Sequence, residues 1–285
     1  MLGKLMKYDL RSGFRKFSLI WIGLVLLAAI NGLTIRLVLN GDVQSQLVNF
    51  FFGVLPMMLL VALFVAMFVF VLVFTVEIFY KGLLGSEGYL MFTLPVTTAE
   101  HIASKTLTAL IFAALSTIVA VLSGAILMAV LAPPGELGSF MNMLREMNGY
   151  LHTNPLPAGT GWLIAEFVLY LLVASAAATL QIYAAISVGH LAKKHRGLFA
   201  LLAYIGISIA VSTITSWCMT TLFRSNAFTD VVLAWQFGVE NAGWEVNGLG
   251  MAASALGVNI GLTLLMGTGF FFLSRGILKN HLNLE

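Results

Sequence analysis

Six long apolar runs leave this chain few ways to fold: approximately Phe17–Ile35, Phe50–Val76, Leu107–Ala132, Trp162–Val188, Leu198–Leu222 and Met251–Ser274. Each matches the roughly 20 helical residues needed to cross the hydrocarbon core of a bilayer. In hydrocarbon every backbone N–H and C=O must find its partner inside the protein, and at this length only helices achieve that. The expected fold is therefore all-α and integral to a membrane, a six-helix transmembrane bundle. Composition agrees, because the 285 residues are 60% hydrophobic and only 9% charged. A water-soluble body carries about 25% charged residues. No stretch between the runs exceeds about thirty residues, too few for an independent core. The first run follows basic residues, as in a signal peptide. It is longer than a signal peptide's apolar region and lacks a small-x-small cleavage site, so it is expected to stay as the first span.

Lysine and arginine orient the bundle. With the N-terminus in the cytosol, twelve of the 15 basic residues lie in inner segments, and only Arg36, Arg145 and Arg224 lie outside. The positive-inside rule then expects both termini in the cytosol, as an even number of spans requires. Tyr80, Tyr89, Tyr150 and Trp162 fall near span edges, where aromatic belts form. The basic residues sit at membrane edges rather than in one patch, so the net charge of +3 does not point to nucleic acid.

The opening MLGKLMKYDLRSGFRKF has its own pattern. Leu2, Leu5, Met6, Leu10, Phe14 and Phe17 recur at helical spacing, opposite Lys4, Lys7, Arg11 and Arg15. An amphipathic helix of this kind lies in the inner interface, basic groups toward anionic headgroups. The plainer alternative is a topology signal with no further role. Cys218, the one cysteine, lies inside an apolar run and excludes an intrachain disulfide. His190 and His195 are five residues apart, off a single helical face, and His101, His152 and His281 lie in other segments, so no metal site is expected.

One inner loop carries more information than a connector needs: EIFYKGLLGSEGYLMFTLPVTTAEHIASK, from Glu77 to Lys105. Thr97-Thr98-Ala99-Glu100 fits a capping box, in which the Thr97 hydroxyl and the Glu100 carboxylate each accept from the other's backbone N–H. Pro95 biases Leu94 away from helix. A new helix is therefore expected to start near Thr98 and continue into the third span, with Glu100 at its positive end. Gly82, Gly85 and Gly88 allow sharp turns around a short segment that offers Glu87, Tyr89 and Phe92. From physics alone, an interfacial turn with Tyr89, Met91 and Phe92 among headgroups is an equally simple reading.

The sequence GSEGYLMFTLPVTTAEHIASK resembles the cytosolic loop between spans two and three of six-span ABC-2 type transporter permeases. LGKLMKYDLRSGFRKF, SVGHLAKKHRG and ILKNHLNLE are similar to that family's start, second cytosolic loop and tail, so the resemblance covers the chain in order. It implies a multi-pass subunit of the bacterial plasma membrane. Its interfacial helix would be 1–16 and its transmembrane domain 17–275, with a coupling loop over 77–105, outer loops over 133–160 and 223–250, and a cytosolic tail over 276–285. It also implies that Glu87, Gly88, Tyr89, Met91, Phe92, Leu94 and Pro95 dock on a separate ABC ATP-binding subunit, and that a second permease copy or related chain completes the membrane part. The cargo implied is an amphipathic or hydrophobic compound, an antimicrobial peptide or a lipid, and the direction is export.

The chain itself lacks a GxxxxGK[ST] phosphate loop. No cofactor is expected on it, ATP and Mg²⁺ belonging to the partner, and no enzymatic activity of its own. Ser86 lies in GLLGSEG rather than GxSxG, a weak case for a membrane hydrolase. A different class of function is a membrane sensor or scaffold that binds an extracellular peptide without moving it. A secondary transporter would show repeats and several intramembrane charges; this chain has one acid inside a predicted span, Glu166. It reads either as an interfacial carboxylate near the start of the fourth span or as part of a substrate path. Gly257 and Gly261 form a GxxxG in the sixth span, and Ala174 to Ala178 enrich the fourth in small residues, both favouring close helix packing. Pro56 is expected to kink the second span.

Overall fold

The computed structural model of the chain describes residues 2–40, 47, 50–85, 96–131, 145–146, 149, 160–192, 194–224 and 244–280. Among them there is no strand, and six helices are long and apolar enough to cross a membrane. These are α1 (Leu2–Asn40), α2 (Leu55–Phe79), α3 (Thr98–Leu131), α4 (Thr160–Gly189), α5 (Arg196–Arg224) and α6 (Trp244–Asn280). Their outward surfaces carry large apolar side chains such as Leu19, Phe68, Val121, Leu171, Leu202 and Leu265, all exposed. Water would not tolerate that surface, whereas lipid does.

Several helices exceed the apolar runs. α1 is a single helix of 39 residues, so the opening segment and the first span are one continuous element. Five-residue π-helical turns lie at either end of α2, at Phe50–Val54 and Tyr80–Leu84. Pro56 is the second residue of α2, directly after the first of these turns. Proline cannot donate a hydrogen bond to the preceding turn, and a widened turn directly before it accommodates that. The last residues of the expected outer loop, Trp244 to Gly250, are the first turns of α6.

The chain divides into two compact units. The first comprises Met1–Ile78 and Leu107–Asn154. An aromatic cluster holds it together: Phe17 and Phe112 stack at 4.7 Å, and Phe70 and Phe74 meet Phe17 edge-on at 4.8 and 5.1 Å. Gly13 makes room for this cluster, since a Cβ there would come within 2.4 Å of the Phe112 ring. Gly32 plays the same part a few turns on, where a Cβ would meet Val130 at 2.6 Å. Polar ties cross between the same helices. Trp21 Nε1 donates to Ser116 Oγ at 3.1 Å, and the fully buried Asn31 donates through Nδ2 to the Pro56 carbonyl at 2.8 Å. Lys16 and Glu77 form an ion pair at 3.0 Å.

The second unit comprises Phe79–Thr106 and Pro155–Glu285. Its core gathers Phe79, Leu83, Ile102, Tyr183, Ile186 and Leu278. Buried hydroxyls here turn back on their own helices: Ser187 donates to the Tyr183 carbonyl and Ser274 to the Phe270 carbonyl, both at 2.8 Å. Such bonds let a polar side chain sit inside an apolar bundle without an unmet donor.

The aromatic cluster of the first unit is the feature whose removal should cost most there. Phe17→Ala leaves a hole facing four rings and is expected to destabilise the protein by about 3–5 kcal/mol. Unfolding of the detergent-solubilised protein by titrated denaturing detergent measures it; a change below about 1 kcal/mol would mean the site collapses without penalty.

Candidate functional site

The loop between α2 and α3 is the candidate. Residues 86–95 lie outside the described residues, and with them Glu87, Gly88, Tyr89, Met91, Phe92, Leu94 and Pro95. The structure does describe both ends from which that segment hangs.

On the entering side, α2 passes into the π-helical turn Tyr80–Leu84. The turn is closed by Gly85, whose N–H donates to the Tyr80 carbonyl at 2.8 Å. Gly82 is buried within it. A Cβ at Gly82 would stand 3.1 Å from Lys105 Cε and 3.2 Å from its Nζ, so the lysine lies directly on the glycine's backbone. Lys105 is itself buried. The sequence signal for Gly82 was a turn; its use in the structure is close approach.

On the leaving side, α3 begins with the reciprocal bonds of a capping box. The Thr97 N–H donates to Glu100 Oε2 at 2.9 Å, and the Glu100 N–H donates to Thr97 Oγ1 at 3.3 Å. The Thr97 hydroxyl also donates to the same carboxylate oxygen at 3.0 Å. Two orphan N–H groups of the helix start are thereby satisfied, and the carboxylate faces the positive end of the helix. One face of the next turns carries His101, Ser104 and Lys105, all buried, at the spacing that puts them side by side on a helix.

Both ends enter the same core. Phe79 and Leu83 from the entering side and Ile102 from the leaving side pack together with Tyr183 and Ile186 of α4 and Leu278 of α6. The closest contact is the stack of Phe79 on Tyr183, centroids 4.1 Å apart and planes 11° from parallel. Tyr80 leans on His190 at 5.3 Å, just past the end of α4. Burial, followed by the nearby positive charge of Arg196, pushes the His190 imidazole below its ordinary range. It is therefore uncharged at neutral pH.

The short connection between α4 and α5 is built for closeness. A Cβ at Gly189 would fall 2.5–2.6 Å from Ala200, so only glycine fits at the end of α4. His195 adopts the left-handed backbone conformation, with φ 55°, immediately before α5, and its carbonyl accepts from the Phe199 N–H at 3.1 Å. The pattern SVGHLAKKHRG thus encodes a tight reversal.

Glu166 lies on α4, remote in sequence from the loop. Its Oε1 is the atom a Cβ at Gly257 of α6 would meet, at 3.0 Å. Its Oε2 is buried, with no hydrogen-bond partner among the described residues. Sequence reasoning singled out Glu166 and the GxxxG of α6 separately; only the fold brings them together. It missed the buried Lys105, which reads in sequence as one more positive-inside residue. No group of three His, Cys, Asp or Glu side chains able to hold a metal ion occurs among the described residues.

No protein-family model, curated protein or solved structure matches the chain.

The capping box gives a measurable consequence. Thr97→Ala removes both side-chain bonds at the start of α3 and is expected to cost about 0.5–2 kcal/mol, with Thr97→Ser near neutral. Denaturing-detergent titration of the two variants side by side tests it; equal stability of the alanine and serine forms would show that the cap is idle.

Proposed function

We propose that the chain is the membrane-spanning permease subunit of an ATP-driven transporter of the ABC-2 type, resident in the bacterial plasma membrane with both termini in the cytosol. A separate ATP-binding subunit, carrying ATP and Mg²⁺, docks on the segment 86–95 through Glu87, Gly88, Tyr89, Met91, Phe92, Leu94 and Pro95. Two permease chains, identical or related, complete the membrane part. The early turns of α1 carry the first span out to the inner interface, with their basic side chains toward lipid headgroups. The cargo is amphipathic or hydrophobic, and the direction is outward.

The observation that carries this reading is how the loop is rooted. A passive connector needs only to span a gap, and its ends can fray. Here one end is a closed π-helical turn, the other a double-bonded helix cap, and Phe79, Leu83 and Ile102 fasten both into one core with Tyr183 and Leu278. A displacement of the ten-residue segment between them is delivered to rigid elements. α3 starts at the cap and continues for 34 residues, about 50 Å at 1.5 Å per residue. The resemblance of GSEGYLMFTLPVTTAEHIASK to the coupling loop of these permeases names the source of the displacement. The missing phosphate loop is consistent with an energy source on another chain.

Co-expression of the chain with candidate ABC ATP-binding subunits, followed by purification in mild detergent, tests the docking. The two are expected to co-purify, and Glu87→Lys combined with Tyr89→Ala should weaken the complex at least about tenfold, the loss of one central anchor being worth roughly 2 kcal/mol or more. The charge reversal should also abolish stimulation of ATP hydrolysis by the permease. Failure of any ATP-binding protein to associate, with the chain folded and stable, would sink the proposal and favour a sensor or scaffold.

A further inference from the structure

A buried carboxylate oxygen of Glu166, without a hydrogen-bond partner among the described residues, and an apolar groove lie on one seam between α4 and α6. The groove has a volume of about 320 Å³, at the lower end of the range of roughly 300–1,000 Å³ over which proteins hold small ligands. It is lined from both helices, by Val173, Ala177 and Leu180 of α4 and Leu264, Gly267 and Phe271 of α6, among others. Seven residues make almost two helical turns, so residues seven apart share a face. Glu166, Val173 and Leu180 are spaced by seven on α4, and Gly257, Leu264 and Phe271 are spaced by seven on α6. The carboxylate against Gly257 therefore caps the same stripe that lines the groove, about 10 Å away along the helices at 1.5 Å per residue.

The small residues of α6 have distinct uses along this seam. Gly267 brings α6 against Ala177, where a Cβ would meet the alanine at 3.3 Å, and so closes the floor. Gly257 makes space for the Glu166 carboxylate. Gly261, between the acid and the groove, has nothing within 4 Å of a Cβ position, so the seam is open there. The GxxxG thus leaves space beside α6 between the acid and the groove.

We propose that this seam binds a cationic amphiphile, its positive head at Glu166 and its alkyl or other apolar part in the groove. With one oxygen buried and no ion pair among the described residues, the carboxylate lacks a counter-charge there, and a cation is the ligand that supplies one. An anionic phospholipid fits the groove but not the acid, because its headgroup offers Glu166 only charge of the same sign. This deepens the permease reading, on which it rests only for the word cargo; the site itself is independent of any ATP-binding partner.

The test uses the full chain in nanodiscs of phosphatidylglycerol, whose headgroup carries no cation, without an ATP-binding subunit, and radiolabelled dodecyltrimethylammonium at submicellar concentration. Saturable binding above that of empty discs is expected, competed by the unlabelled cation but not by dodecyl sulfate, dodecanol or tetramethylammonium. Glu166→Gln, isosteric and neutral, should weaken binding at least about tenfold, since a charge pair out of water is lost. Glu166→Asp should retain most of it, and Gly261→Leu, which fills the open part of the seam, should abolish it. Unchanged affinity in Glu166→Gln, equal competition by dodecanol or dodecyl sulfate, or uptake no greater than that of empty discs would each overturn the proposal. Such a result leaves the docking of an ATP-binding subunit untouched, and failure of docking leaves this binding untouched.

Discussion

The stack of Phe79 on Tyr183 is the contact on which the second unit's organisation depends. It joins the last residue of α2 to the middle of the buried face of α4, and Leu83, Ile102, Ile186 and Leu278 close around it. Because Phe79 and Ile102 stand on opposite sides of the segment 86–95, one core fixes both ends of that segment. Two large rings in near-parallel contact bury much apolar surface and resist sliding. The neighbouring details follow: the π-helical turn leads out of the core, Gly82 admits Lys105, and the cap at Thr97 starts α3 within reach of the same cluster.

Lipid as the solvent changes which interactions hold the rest together. Apolar side chains gain little by turning inward when the outside is apolar too, and packing and hydrogen bonds take over. Three kinds of buried position recur. Aromatic rings interlock around Phe17, glycines at 13, 32 and 189 allow close helix approach, and polar groups such as Asn31, Ser187 and Ser274 are tied to backbone carbonyls. Glu166 differs in kind, as the carboxylate with one oxygen buried and unpartnered among the described residues, and a ligand's charge is a physical reason for such a group to persist.

Hydropathy alone made the six helices legible, since length and apolar composition need no tertiary knowledge. The cap of α3 was legible too, because Thr97 and Glu100 are three residues apart and all its geometry is local. Helix ends elsewhere were not. α6 reaches back to Trp244, past its apolar run, because helical hydrogen bonding continues where the composition turns polar; at α1 the spacing of Leu2 to Phe17 announced a helix, and only its continuity with the first span was not visible. The π-helical turns flanking α2 have no composition signal of their own. Pro56 announced a break, but whether it would fall inside the helix or at its start depended on the turn before it. The contacts between distant residues were invisible as well: Lys105 on Gly82, Glu166 on Gly257 and Phe79 on Tyr183 pair side chains that only packing brings together.

That a single core roots both ends of the segment 86–95 can be tested without any partner protein. Hydrogen–deuterium exchange of the full chain in nanodiscs, compared with Tyr183→Ala, reads backbone opening at 79–85 and at 98–106 separately. Faster exchange at both ends of the loop is the expected result, although the substitution lies on α4 and touches neither segment covalently. Faster exchange confined to α4 around position 183, with both loop ends unchanged, would contradict the claim.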